Sequence, residues 1–147
     1  MITQIWCGNN HPEPIQGARV LTIPESNTPT ISADYARFEL AIKEPDLIYA
    51  DFDIEPFDGF YEYFKSLKPG KPHFVKYANY PECCLFAVNG CCDFFKELLE
   101  DKKRRNISDC YSWTFKILRM KKTQVYYIPN EIYNHRHDTY SKLKKEK

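Results

Sequence analysis

The chain has 147 residues, with 21 Lys and Arg against 20 Asp and Glu and a formal net charge of +1. So even a balance excludes a global field that would steer the protein to nucleic acid or to an anionic membrane. With 10 Phe, 11 Tyr and 2 Trp, the length suits one hydrophobic core, so a single domain is expected over residues 1–133, followed by a polar, basic tail over 134–147.

The first residues, Met1 to Gly8, lack the basic region and apolar run of a signal peptide. No stretch reaches the roughly eighteen consecutive apolar residues of a membrane span. The expectation is a soluble, cytoplasmic protein with no membrane span.

In chain order, Ile2 to Trp6 and Ala18 to Ile23 read as strands, the second entered through a Pro-rich turn. Thr30 or Ser32 can cap a helix from about Ala33 to Lys43, where Tyr35, Phe38, Ala41 and Ile42 recur at helical spacing before Pro45. Leu47 to Ala50 is a continuous apolar run of the kind that fills a buried strand, and it ends in Asp51-Phe52-Asp53. Phe57 to Leu67 reads as an aromatic helix, Phe74 to Ala78 and Cys84 to Val88 as strands, and Cys91 to Lys103 as an amphipathic helix closed by the basic run Lys102 to Arg105, a solvated helix end rather than a nucleic-acid patch. A helix over Ser108 to Met120 and a strand over Gln124 to Ile128 follow. This alternation predicts an α/β domain with a mostly parallel central sheet flanked by helices.

Adjacent cysteines, Cys83-Cys84 and Cys91-Cys92, do not bridge each other without strain, and the C-x-x-C spacing of structural zinc is missing. They read as reduced thiols, with Cys84 packed as a small hydrophobe in the run Cys84 to Val88. Trp113, spaced with Ile117 and Met120, reads as core.

The chemistry is expected at Asp51 and Asp53, because ligands of open α/β sheets bind at the carboxyl ends of strands. If the strand stops there, both carboxylates can serve one hard cation, Mn²⁺ or Mg²⁺, together with the oxygens of a diphosphate. Upstream, Asp34 and Arg37 stand at i and i+3 on one helix face, either a ligand grip or a surface ion pair.

Three stretches together, Ile2-Thr3-Gln4-Ile5-Trp6-Cys7-Gly8, Ser32-Ala33-Asp34-Tyr35-Ala36-Arg37 and Ile48-Tyr49-Ala50-Asp51-Phe52-Asp53, resemble the glycosyltransferase sugar-binding region containing the DXD motif. That group has the GT-A fold and includes fungal outer-chain mannosyltransferases and clostridial toxin glucosyltransferases. The resemblance covers about the first sixty residues, and it implies a short member of the group. It implies Trp6 near the nucleobase, Asp34 and Arg37 on the sugar hydroxyls, and Asp51 and Asp53 on ribose, metal and diphosphate. The group's third metal contact has no obvious counterpart, although His135-Arg136-His137-Asp138 lies at a suitable distance along the chain, so that His135 or His137 is either that ligand or part of a solvated tail. The expected activity is metal-dependent transfer of a hexose from a UDP- or GDP-sugar to a hydroxyl acceptor, with retention. The rivals are a nucleotide-sugar-binding protein without turnover and a metal-dependent phosphodiesterase or nuclease.

Overall fold

The computed structural model describes residues 1–105 and 118–136. Its core is a six-stranded mixed sheet. The strands are β1 (Ile2–Cys7), β2 (Arg19–Ile23), β3 (Ile48–Ala50), β5 (His73–Tyr77), β6 (Tyr80–Ala87) and β7 (Tyr126–Tyr127), in the order β2-β1-β3-β6-β5-β7. A separate two-stranded ribbon joins β4 (Ile54–Pro56) to β8 (Tyr133–His135). The helices α1 (Pro29–Lys43), α2 (Phe60–Lys65) and α3 (Cys92–Arg105) complete the described elements, with one 3-10 turn over Asn130–Ile132.

Parallel pairing joins β2 to β1, β1 to β3 and β5 to β7, while β6 is antiparallel to both β3 and β5. The reversal follows from the connection. Tyr77 pairs with Tyr80, so only Ala78 and Asn79 link β5 to β6, and a parallel crossover needs a dozen residues or more. Ala78 takes a left-handed φ of 54° to close that turn.

Each sheet face carries its own core. Under α1 and α3, Phe86 stacks against Phe74 at 5.4 Å and Phe95 at 5.1 Å between ring centroids, with Phe38 at 6.2 Å. Phe38 and Ala41 come from the apolar stripe of α1, and Phe95 and Leu98 from that of α3. The other face gathers Ile54, Phe60, Val75, Leu85 and Ile128. A register shift lets both faces draw on β6, because Cys83 to Leu85 stand opposite the single step from Phe74 to Val75. Cys83 and Phe86 therefore join one core, and Cys84 and Leu85 the other.

Several elements differ from the sequence expectation. Helix α1 starts at Pro29, a residue whose fixed φ suits the first helical turn. Thr28 at its N-cap makes no side-chain cap bond, and the Ser32 hydroxyl meets Ser26 Oγ at 2.9 Å instead of capping. The aromatic helix is cut to Phe60–Lys65, because Phe57 N–H is drawn to Ile132 O at 2.8 Å and Gly59 turns left-handed. In the basic run, Lys102 is buried with its ammonium 4.3 Å from the centre of the Tyr35 ring, rather than solvated. Asn134 and His135, assigned to the tail, are strand residues in β8. Leu118 to Met120 are helical, and the rest of the expected helix from Ser108, with Cys110 and Trp113, lies outside the described residues. The last predicted strand shrinks to two residues. Cys7, Cys83, Cys84, Cys91 and Cys92 are free thiols, and no helix among the described residues is long and apolar enough to cross a membrane.

Gly59 has φ of 87°, and a Cβ built there would lie 3.4 Å from Ile132 Cγ2. A left-handed non-glycine residue costs about 1–2 kcal/mol. Gly59→Ala is therefore expected to lower stability by that amount in denaturant unfolding, and an unchanged midpoint would mean that the turn relaxes.

Candidate functional site

Strand β3 stops at Ala50, and the chain turns at once. Asp51 N–H donates to Cys84 O at 2.8 Å, and Ile54 N–H donates back to Asp51 O at 3.2 Å. Both aspartates thus leave the sheet in a tight turn rather than continuing a pleat that would point them to opposite faces. Gln4, fully buried in β1, holds the turn from beneath: its Nε2 donates to Asp51 O at 3.2 Å while its Oε1 accepts from Ile15 N–H at 2.7 Å.

The Asp51 side chain is 29% exposed and is held on its buried side. Tyr49 Oη donates to Asp51 Oδ1 at 2.5 Å. Arg37 Nη1 lies 3.6 Å from the same oxygen and donates to Cys83 O at 3.0 Å, while Nη2 pairs with Asp34 Oδ1 at 2.7 Å. The guanidinium also lies 4.9 Å from the centre of the Tyr49 ring. Strand β6 supplies both carbonyls: Cys84 O meets the Asp51 amide by continuing the β3–β6 register, and Cys83 O, in the segment left unpaired with β5 by the register shift, meets Arg37.

Asp34 and Arg37 are neither a surface pair nor an open grip. They are 4% and 6% exposed, and they join α1 to the end of β3. Burial works against the Arg37 charge, but Tyr49, Asp34 and Asp51 outweigh it and hold the guanidinium firmly protonated. Burial likewise keeps Tyr49 neutral and able to donate, and keeps the Cys84 thiol, close to Asp51 and Asp53, protonated.

Asp53 is buried and faces β8. Its Oδ2 meets His135 Nε2 at 3.0 Å, its carbonyl accepts from Arg136 N–H at 2.6 Å, and its Oδ1 has no hydrogen-bond partner among the described residues. The pairing of Ile54 with His135 brings that histidine back across 82 residues of sequence. His137 lies outside the described residues. No three His, Cys, Asp or Glu side chains among the described residues are grouped so as to hold a metal ion.

Burial pushes the Asp51 carboxyl from 3.8 up to about 6, with Arg37 pulling it down and Asp53 pushing it further up. Burial lowers the His135 pKa, but the hydrogen bond to Asp53 and the charges of Asp53 and Asp51 outweigh it, so the net shift from 6.5 is upward. Both shifts mean that the folded protein holds these protons more tightly than the unfolded chain. The Asp51 contribution therefore grows as pH falls from about 6 to 3.8. That of His135 is complete below 6.5 and is lost as pH rises through its higher folded value. Thermal unfolding across this range should show wild type gaining stability relative to Asp51→Asn on acidification below about pH 6. Parallel curves would mean that Asp51 titrates as an ordinary exposed carboxylate.

Trp6, one residue before the end of β1, is 6% exposed and edge-on to Phe52 with centroids 5.4 Å apart, and Phe52 in turn lies 5.6 Å from the His11 ring. It thus stands next to the Asp51 turn but is covered, so a base could stack on it only if its cover, to which Phe52 contributes, moved. Sequence reasoning missed Gln4, the bond from Tyr49 to Asp51, and the carbonyls of Cys83 and Cys84. A polar residue within the first apolar strand was the visible signal for Gln4. Comparison with known proteins gives no matching family model, curated protein or solved structure.

Proposed function

We propose that the chain is a metal-dependent glycosyltransferase with a GT-A-like domain, transferring a hexose from a UDP- or GDP-sugar to a hydroxyl acceptor with retention. The observation that carries the reading is Asp53 Oδ1, a buried carboxylate oxygen with no hydrogen-bond partner among the described residues. Leaving such an oxygen unpaired is costly, and a hard cation, Mn²⁺ or Mg²⁺, is the partner its chemistry suits. The site's position supports the reading, because both aspartates stand at the carboxyl end of a central strand, next to Trp6 and to the Asp34–Arg37 pair.

Asp53 and Asp51 would hold the cation, which when bound neutralises charge growing on the diphosphate leaving group. The chain's own residues set the carboxylates. Tyr49 and Arg37 fix one oxygen of Asp51, His135 fixes one of Asp53, and Gln4 fixes the turn between them. Asp34 serves through Arg37, and sugar hydroxyls would reach this pair at Arg37 Nε, which has no hydrogen-bond partner among the described residues, or by exchanging with a bond that Arg37 already makes. No protein base is assigned, because preorganised charge supplies most of the stabilisation in such a transfer.

A second reading, nucleotide-sugar binding without turnover, is favoured by the covered state of Trp6, Asp34 and Arg37. One experiment separates the two. Calorimetric titration with UDP and GDP, with Mn²⁺ or with EDTA, should show nucleotide binding only in the presence of the metal. Incubation with the matching nucleotide-sugar should then release free hexose by transfer to water. Binding without release supports the second reading, and binding that ignores EDTA overturns the metal-bridged site.

A further inference from the structure

At the far end of the β4–β8 ribbon from Asp53, an open surface pocket of about 670 Å³ is lined by Pro56, Phe57, Asp58, Gly59, Tyr61, Glu62 and Glu131. Its volume is within the range of small-molecule sites. We infer that this cavity binds an organic ammonium ion.

Two observations carry the inference, and the first is aromatic. Phe57 and Tyr61, on either side of the start of α2, are 48% and 44% exposed, while Phe60 beside them is fully buried. Tyr61 is braced edge-on against the Phe60 ring at 5.3 Å, so its position is set from within the core. Exposed aromatic rings around one cavity suit a cation with an apolar surface, because the ring face is negative.

The second observation is charge. Asp58, Glu62 and Glu131 contribute three carboxylates to the lining, which contains no Lys, Arg or His. None of the three forms an ion pair among the described residues. An inorganic cation would satisfy the charge and leave the rings unused, and a neutral ligand would use the rings and leave the charge. An ammonium ion with alkyl substituents uses both.

From Ile54, paired with His135, to Pro56, paired with Tyr133, is two residue steps, about 7 Å of strand. Should the neighbouring carboxylates form a donor site, the cation would belong to the acceptor, but cavity binding does not depend on that role.

The test compares choline with its neutral isostere, in which carbon replaces the quaternary nitrogen, by calorimetry and by proton NMR of the full chain. Choline is expected to shift the ring resonances of Phe57 and Tyr61 and to bind about tenfold more tightly than the isostere. Glu62→Gln, which keeps shape and removes charge, and Tyr61→Ala, at an exposed position, should each weaken choline by a similar factor. Asp53→Asn should leave it unchanged, which separates this result from the fate of the transferase reading. Equal binding of the isostere, choline affinity indifferent to both cavity variants, or no shift at Phe57 and Tyr61 would each overturn the inference.

Discussion

Asp53→Asn is expected to abolish Mn²⁺-dependent binding of UDP or GDP while leaving the protein folded. Loss of a residue that only supports a metal ligand costs about 10–100-fold in affinity, so replacing the ligand itself should exceed the upper end of that range. The physical basis is the division of labour on one carboxylate: Oδ2 is held by His135, and Oδ1 is buried and unsatisfied among the described residues. Asparagine retains one oxygen but no charge, and its amide nitrogen would occupy one of the two positions. The fold should survive, because volume and burial hardly change and the charge that pushes up the Asp51 pKa is removed. Calorimetry with and without EDTA reads the loss, and circular dichroism checks the fold. Undiminished Mn²⁺-dependent binding by the variant would place the metal elsewhere.

Arg37→Ala should destabilise the protein severely, by about 3–5 kcal/mol, since removing one member of a buried ion pair leaves uncompensated charge behind. Asp34 would lose its 2.7 Å partner inside the protein, Asp51 its nearby guanidinium, and Cys83 O its donor. Adding Asp34→Leu should recover much of the loss, because the stranded carboxylate disappears and apolar groups replace the pair. Denaturant unfolding of the single and double variants measures both effects. A loss below about 1 kcal/mol in the single variant would be that of an exposed pair, and would return Arg37 to a role in gripping ligand hydroxyls.

Much of the architecture was legible because burial writes periodicity. Ile2 to Trp6, the run ending at Ala50, and the apolar stripes with Phe38 and Ala41 in α1 and Phe95 and Leu98 in α3 all appear where their spacing placed them. The element ends were less legible. Phe57 keeps helical spacing with Phe60 and Phe64, yet a hydrogen bond to Ile132 removes it from the helix, and that partner lies 75 residues away, beyond any local pattern.

The site divides in the same way. Placing Asp51 and Asp53 at a strand end required only the apolar run before them and the abrupt change to carboxylates. The sequence also shows Asp34 and Arg37 on one helix face, because i and i+3 spacing is a local property of the helix. Their burial, and their union with Asp51, depend on how α1 packs across β3 and on the register shift in β6 that turns Cys83 O toward the guanidinium. His135 reaches Asp53 only because β8 pairs with β4, and Trp6 is covered by neighbours that include Phe52, edge-on against it. Local sequence thus determined which chemical groups the protein carries and on which elements. Only the tertiary structure decided which of them meet, which are hidden and which charge is left unsatisfied, because pairing, burial and desolvation are set by residues far away along the chain.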